Sequence, residues 1–282
     1  PPIHVFRRAD DGSKERAPDH PAFALLHDTA NEWTPAAKLK EEVTRDALLH
    51  HGGFAYINRV DGKPVEILRL DPERTKVASD PVTGEPIYSY AEGNGRTRTY
   101  ARQDILHIPS PSLTGAGLVH DGREAIGLAL TMEQHAARLF GRGARPSGVL
   151  KFPNKLGAET AGRIKTAWQA AHGGSNGGGT AVLEEGGDFV SLTMTSVDAQ
   201  FLELRKFQIE EIARLFRVPP IFLSEYGRAT WGNAEAMGQQ FLTYTLMPWI
   251  ERWEGEVRLK LFTPEDRKTY FAEFLTDSLL RA

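Results

Sequence analysis

The chain has 282 residues, 40% of them apolar and 25% charged. That is enough to bury a sizeable core in two or more domains, and the mixture excludes a disordered or fibrous protein. The net charge of −3 and the absence of cysteine argue against a surface built to grip nucleic-acid phosphates, and exclude disulfides, thiolate zinc sites and cysteine nucleophiles.

Residues 1–20 are polar and charged, with Pro1, Pro2 and Pro18, and read as an arm. Pro1 stands where an initiator Met would, so it is expected to be an internal residue of a longer product. The N-terminus has no apolar signal core, and no apolar run is long enough to span a bilayer. Residues 21–33 read as a short helix. A better one starts with Thr34 as cap and Pro35 in the first helical position, and runs through Leu39, Val43, Ala47 and Leu48.

Gly52-Gly53 ends that helix. Alternating strands at 53–60 and 63–70 flank Asp61-Gly62, a strong hairpin signal. Strands at 75–79 and 87–90 flank a turn at 80–86, and 96–101 and 104–108 add two more. Residues 52–108 thus predict mainly antiparallel sheet. A loop from Pro109 leads to a helix over about 121–140, ended by Gly141 and Gly143. Then come a strand at 147–152, a helix over 156–171 and strands at 180–185 and 189–194. This βαββ unit sits between two long helices like an insertion. A last strand is expected at 270–275.

The glycine-rich run at 172–180 is the most tempting motif. A phosphate-binding loop needs a Lys before the closing Ser or Thr and leads from strand to helix. This run has no Lys and leads from helix to strand, so it reads as a flexible turn. The histidines do not form a metal set either: His50 and His51 are adjacent, and no H-x-x-x-H spacing occurs. His107, in an apolar strand, is expected to satisfy a core hydrogen bond. Ser147 lacks the glycine pattern of a hydrolase nucleophile. Glu184-Glu185 and Glu210-Glu211 have the look of solvated pairs.

Residues 198–262 carry the most information. The helix over 198–216 has apolar positions wider than one stripe and mixed charges that include Glu203, Arg205, Lys206 and Glu210. Pro219 and Pro220 stop it. The break that follows holds Phe222, Ser224, Glu225, Tyr226, Arg228, Thr230 and Trp231. A connection this long is usually functional or disordered. Asn233 can cap the next helix, which should kink at Pro248 because proline cannot donate to the Tyr244 carbonyl.

This order of parts, with the runs DILHI at 104–108, FGRGARPSGVL at 140–150 and SVDAQFLELRKFQIEEIARLFRVPP at 196–220, resembles the portal proteins of tailed bacteriophages and gene transfer agents. The match extends from about His20 to Arg281. The resemblance implies an α+β portal fold. Its parts would be an N-terminal arm (1–20), a sheet-rich wing (21–119), stem helices at 120–143 and 198–216 and a clip at 144–197. A tunnel loop (217–232), a long kinked wing helix (233–262) and the start of a crown-proximal region (263–282) would complete it.

The resemblance further implies a homo-oligomeric ring, typically of twelve, at a capsid vertex of a virion or gene-transfer-agent particle, assembled in the bacterial cytoplasm. Double-stranded DNA would pass through it, with Phe222, Ser224, Glu225, Tyr226, Arg228, Thr230 and Trp231 facing the channel. Glu203, Arg205, Lys206 and Glu210 would face the lumen or a neighbouring subunit. The large terminase motor, the head-to-tail adaptor and the major capsid protein would be partners. No membrane, cofactor, metal or catalytic activity is expected. Two alternatives are a metal-dependent DNA-processing enzyme of a packaging system and another ring component such as an adaptor, although adaptors are generally much shorter chains.

Overall fold

The computed structural model describes residues 1–141, 148–172, 186–191, 196–224 and 234–276. They fall into two compact units: Pro1–Leu128 with Lys206–Ala282, and Ala129–Arg205.

The first unit opens on a strand where an arm was expected. In β1 (Ile3–Arg8) the side chains of Ile3, His4, Val5 and Phe6 are all buried. It turns back into the short β2 (Lys14–Arg16). Helix α1 (Pro21–His27) starts with proline in its first turn, and His20 Nδ1 accepts from the Ala22 N–H at 3.1 Å. Strands β3 (Thr29–Asn31) and β4 (Thr34–Pro35) form a two-strand clasp. Helix α2 (Ala36–Leu49) therefore begins one residue later than expected. Thr34 is spent in β4, and Pro35 caps without a side-chain hydrogen bond. Ala36, Leu39, Val43 and Ala47 recur at helical spacing and are buried.

Strands β5 (Gly52–Val60) and β6 (Lys63–Leu70) form the expected hairpin. Asp61 (φ 50°) and Gly62 (φ 78°) are both left-handed, as the tight turn requires. Strands β7 (Thr75–Ser79), β8 (Pro86–Ala91) and β9 (Thr97–Tyr100) make a separate meander. Strand β10 (Ile105–Pro109) returns to the free edge of β5. Residues 52–108 are thus two three-stranded antiparallel sheets, ordered β10-β5-β6 and β7-β8-β9. A cluster of Phe54, Leu70, Tyr88 and Ile105 joins them. Helices α3 (Leu118–Asp121) and α4 (Arg123–Gly141) follow, and the second crosses into the other unit.

The second unit holds β11 (Gly148–Lys151), α5 (Ala158–His172) and β12 (Asp188–Ser191). Strands β11 and β12 pair antiparallel, Gly148 opposite Ser191 and Lys151 opposite Asp188. Trp168 of α5 stacks on Phe189 of β12, ring centres 5.4 Å apart. The strand expected at 180–185 lies outside the described residues. Helix α6 (Ser196–Leu215) runs from this unit into the first.

The first unit is completed by α7 (Ala234–Gln240), one turn of π-helix (Phe241–Leu246), α8 (Met247–Lys260), α9 (Asp266–Thr269) and β13 (Tyr270–Phe274). Strand β13 pairs antiparallel with β1, Ile3 opposite Phe274, so the two ends of this sequence share a sheet. The main core gathers Val5, Leu26, Val43, Ile57, Ile67, Leu106 and Val257. Each fully buried aliphatic chain contributes about 1.5–3 kcal/mol. Among the described residues, no helix is long and apolar enough to cross a membrane.

Candidate functional site

The site is built at the end of α6. The Val218 N–H donates back to the Ala213 carbonyl at 2.8 Å and the Arg217 N–H to Arg214 at 3.1 Å. These two bonds close a Schellman end, whose left-handed position usually holds glycine. Here it is Arg217, at φ 55°. Pro219 and Pro220 then prevent the helix from continuing, as their sequence predicts. Residues Pro220–Leu223 form a single 3-10 turn that ends at Ser224, again left-handed at φ 63°. Two left-handed residues without glycine thus bracket eight positions. Each costs on the order of 1 kcal/mol and persists only where neighbours enforce it.

Two contacts from the π-turn meet this segment. The Thr245 side chain, itself buried, turns its hydroxyl onto the Arg217 carbonyl at 2.5 Å. The Phe222 and Phe241 rings lie 4.6 Å apart. The widened turn has a clear cause. Pro248 has no N–H, and its ring would crowd the Tyr244 carbonyl of a regular helix. A π-turn opens that spacing, and the Met247 N–H bonds to the Leu242 carbonyl instead. The discontinuity expected at Pro248 is therefore a π-turn just ahead of it. Beside it, the Arg252 guanidinium lies 5.0 Å from the centre of the Trp249 ring. Burial, with the nearby Arg217 charge second, lowers the Arg252 pKa.

Of the residues expected to face a channel, Phe222 is half-exposed and Ser224 exposed. Glu225, Tyr226, Arg228, Thr230 and Trp231, and the Asn233 cap, lie outside the described residues. On α6, Glu203, Arg205 and Lys206 are exposed and Glu210 is partly buried. The same helix exposes Leu202 at 49%, Leu204 at 52% and Phe207 at 46%. Its Gln208 is buried, and among the described residues the Oε1 atom finds no hydrogen-bond partner. Sequence reasoning placed Arg217 among the loop's cations but missed its left-handed position at the helix end, and it missed Thr245. The four residues between α6 and Pro220 were the available hint of a special helix end.

Elsewhere, polar clusters serve the fold. A cleft of about 700 Å3 is lined by Arg7, Arg16, Arg59, Lys63, Lys260 and Arg267. Arg59 binds Asp104 at 3.0 Å and the Lys260 carbonyl at 2.5 Å. Arg267 binds the Arg258 and Leu259 carbonyls at 2.9 and 2.8 Å. These two arginines close the C-terminal end of α8. His107 makes the core hydrogen bond expected of it, Nδ1 lying 3.1 Å from the Tyr88 hydroxyl, and its backbone N–H donates to Glu256 Oε2 at 3.1 Å. Burial pushes His107 down to about 4, Tyr88 up to about 12 and the Glu256 carboxyl upward. Among the described residues, no three His, Asp or Glu side chains are grouped to hold a metal ion.

Comparison with known proteins gives this geometry its context. A family model described as phage portal protein matches residues 1–282. The probable portal protein of Streptomyces phage phiC31 is 35% identical over 189 residues, 64% of this chain and 41% of that one. The portal protein of Enterobacteria phage HK97 is 25% identical over 287 residues, 99% of this chain and 67% of that one. The chain thus spans less than half the length of the phiC31 relative and about two thirds of the HK97 one. Among solved structures, it resembles a chain in the neck of gene-transfer-agent particles. The TM-score is 0.75 for the empty particle computed with C6 symmetry, at 24% identity over 98% of this chain and 76% of that one. For the native neck computed with C12 symmetry it is 0.67, at 24% identity over 88% and 72%. By its match to the family model along its whole length, the chain belongs to the phage portal protein family.

Proposed function

We propose that this protein is a portal subunit, which closes with copies of itself into a ring, of about twelve as in the C12 neck, at one capsid vertex. Double-stranded DNA is packaged and ejected through the ring. The large terminase motor docks on residues 144–197, later replaced by the head-to-tail adaptor, and the major capsid protein surrounds the wing. The observation that carries this reading is the family match along the whole chain. The exposed apolar chains of α6, Leu204 and Phe207 on one side and Leu202 and Ile209 on the other, support it, because a helix apolar on two sides fits packing between neighbouring copies.

Residues 217–232 are the channel-facing loop, with Phe222, Ser224, Glu225, Tyr226, Arg228, Thr230 and Trp231 toward DNA. Few cations in such a loop suit DNA that must slide, since each firm phosphate contact adds salt-dependent grip. The motor supplies the ATPase; this chain supplies the channel.

Native mass spectrometry with negative-stain class averages of the purified assembly tests the ring. A closed ring with a central hole is expected, whereas a compact dimer would refute the reading. Replacing both Tyr226 and Trp231 by Ala should reduce the DNA packaged or retained in particles while the ring still forms. Unchanged DNA content would remove the loop from the channel surface.

A further inference from the structure

We infer that Thr245 is a positioning residue, a latch that holds the root of the 217–232 loop in place. Its functional meaning rests on the channel-loop reading above; the latch itself does not. Among the described residues, Thr245 makes the one side-chain hydrogen bond that reaches segment 217–224 from outside it, and Phe222–Phe241 is the one ring contact. Both come from the same turn of π-helix, Phe241–Leu246. The loop's start is therefore referenced to one short stretch of the helix that follows it.

The π-turn decides where these two groups point. It carries one residue more than an α-turn, so the helix on its N-terminal side is rotated by about 100° relative to an unbroken α-helix. In the α register, a helical Thr commonly turns its hydroxyl back to the carbonyl four residues earlier, here Phe241. In this structure the hydroxyl instead takes the carbonyl of Arg217, a left-handed residue in a position that favours glycine. Pro248, by forcing the wider turn, indirectly aims Thr245 at Arg217. Helix stop, left-handed arginine, π-turn and proline then form one device. The end of α6 and the π-turn ahead of α8 are held together at the start of the loop.

Hydrogen–deuterium exchange on the purified full chain, without DNA, tests the assignment. The amides to follow are those of Val218, Phe222 and Ser224, which donate to Ala213, Pro219 and Ile221. Thr245→Val keeps the shape and removes the hydroxyl. It should speed exchange in 218–224 about tenfold, the scale of one lost hydrogen bond to a partly buried carbonyl, and leave β5 and β6 unchanged. Thr245→Ser, which keeps the hydroxyl, should stay within about twofold of the parent. Pro248→Ala, which permits the α register, should loosen the same segment. Parent-like exchange in Thr245→Val overturns the latch. So does a rise spread equally through β5 and β6, which would make Thr245 merely a stabilising side chain. If the local rise appears but Thr245→Val particles package and retain DNA normally, the latch stands and the channel role of the loop fails.

Discussion

Arg69 of β6 holds Asp46 of α2 through two hydrogen bonds, Nε–H to Oδ2 at 2.5 Å and Nη2–H to Oδ1 at 2.8 Å. The Asp46 side chain is 4% exposed and the Arg69 side chain 34%. A carboxylate on the buried face of a helix would be costly alone, and the paired guanidinium offsets that cost.

The two partners should therefore be unequal under substitution. Arg69→Ala leaves a buried charge without its partner and should cost about 2–4 kcal/mol. Asp46→Asn leaves a cation that can reach water and should cost clearly less. Urea unfolding midpoints of the two variants measure this. Equal losses would mean that the pair is not chiefly relieving a buried charge.

A pH dependence follows from His107. Burial, with the His51 and Lys260 charges adding less, pushes it from its ordinary value down to about 4. The unfolded chain takes up this proton below about pH 6.5, while the folded chain resists until about 4. Between those values the unfolded state binds more protons, so stability falls as pH drops. By about pH 5 the loss should reach roughly 2 kcal/mol relative to pH 7. Glu256, raised by burial, acts in the opposite sense and softens it, since the folded state takes its proton earlier. Unfolding midpoints at both pH values, for the parent and His107→Gln, isolate the term. A variant that loses as much as the parent would assign the slope to other groups.

What could be read from the sequence follows the range of the interaction that fixes each element. The β5–β6 hairpin was visible because Asp61-Gly62 dictates its own turn. Strand β1 was not, because proline and charge surround Ile3–Phe6 and its partner lies at the far end of the chain. Pro248 announced a break in the helix, since a missing N–H is a local fact. That the π-turn would bring the Thr245 hydroxyl onto the carbonyl of Arg217 was not legible, because the two lie 28 positions apart. Arg217 itself was hidden because left-handed helix ends are looked for at glycine. The place of Phe222 in the loop points to a channel residue. Its ring contact with Phe241 gives it a structural task that no spacing rule reveals.

Gly53 marks how closely α2 lies against β5. A Cβ added there would sit 1.9 Å from the Val43 carbonyl oxygen, which is backbone and cannot swing aside. Gly53→Ala must push the helix off the sheet or distort β5, at a cost of several kcal/mol by the overpacking scale. Gly62→Ala, at a left-handed turn with open space around it, should cost only about 1 kcal/mol. Thermal unfolding of the pair tests this. Comparable losses would mean that the sheet–helix spacing is softer than the distance implies.

The last expectation concerns 144–197 as a docking surface. Helix α5 exposes Glu159, Arg163 and Lys165, and Trp168 holds the helix to β12 through Phe189. Exposed charges that pack on nothing contribute little to folding, so reversing them should leave stability within about 0.5 kcal/mol. A charged rim does govern encounter with a partner and its salt dependence. Arg163→Glu combined with Lys165→Glu should therefore weaken binding of the large terminase about tenfold or more, measured by pull-down or interferometry, with the unfolding midpoint unchanged. The effect should shrink at high salt, because screening shortens the reach of surface charge. If these and further reversals across 144–197 leave binding of both motor and adaptor unaltered, docking belongs elsewhere on the chain.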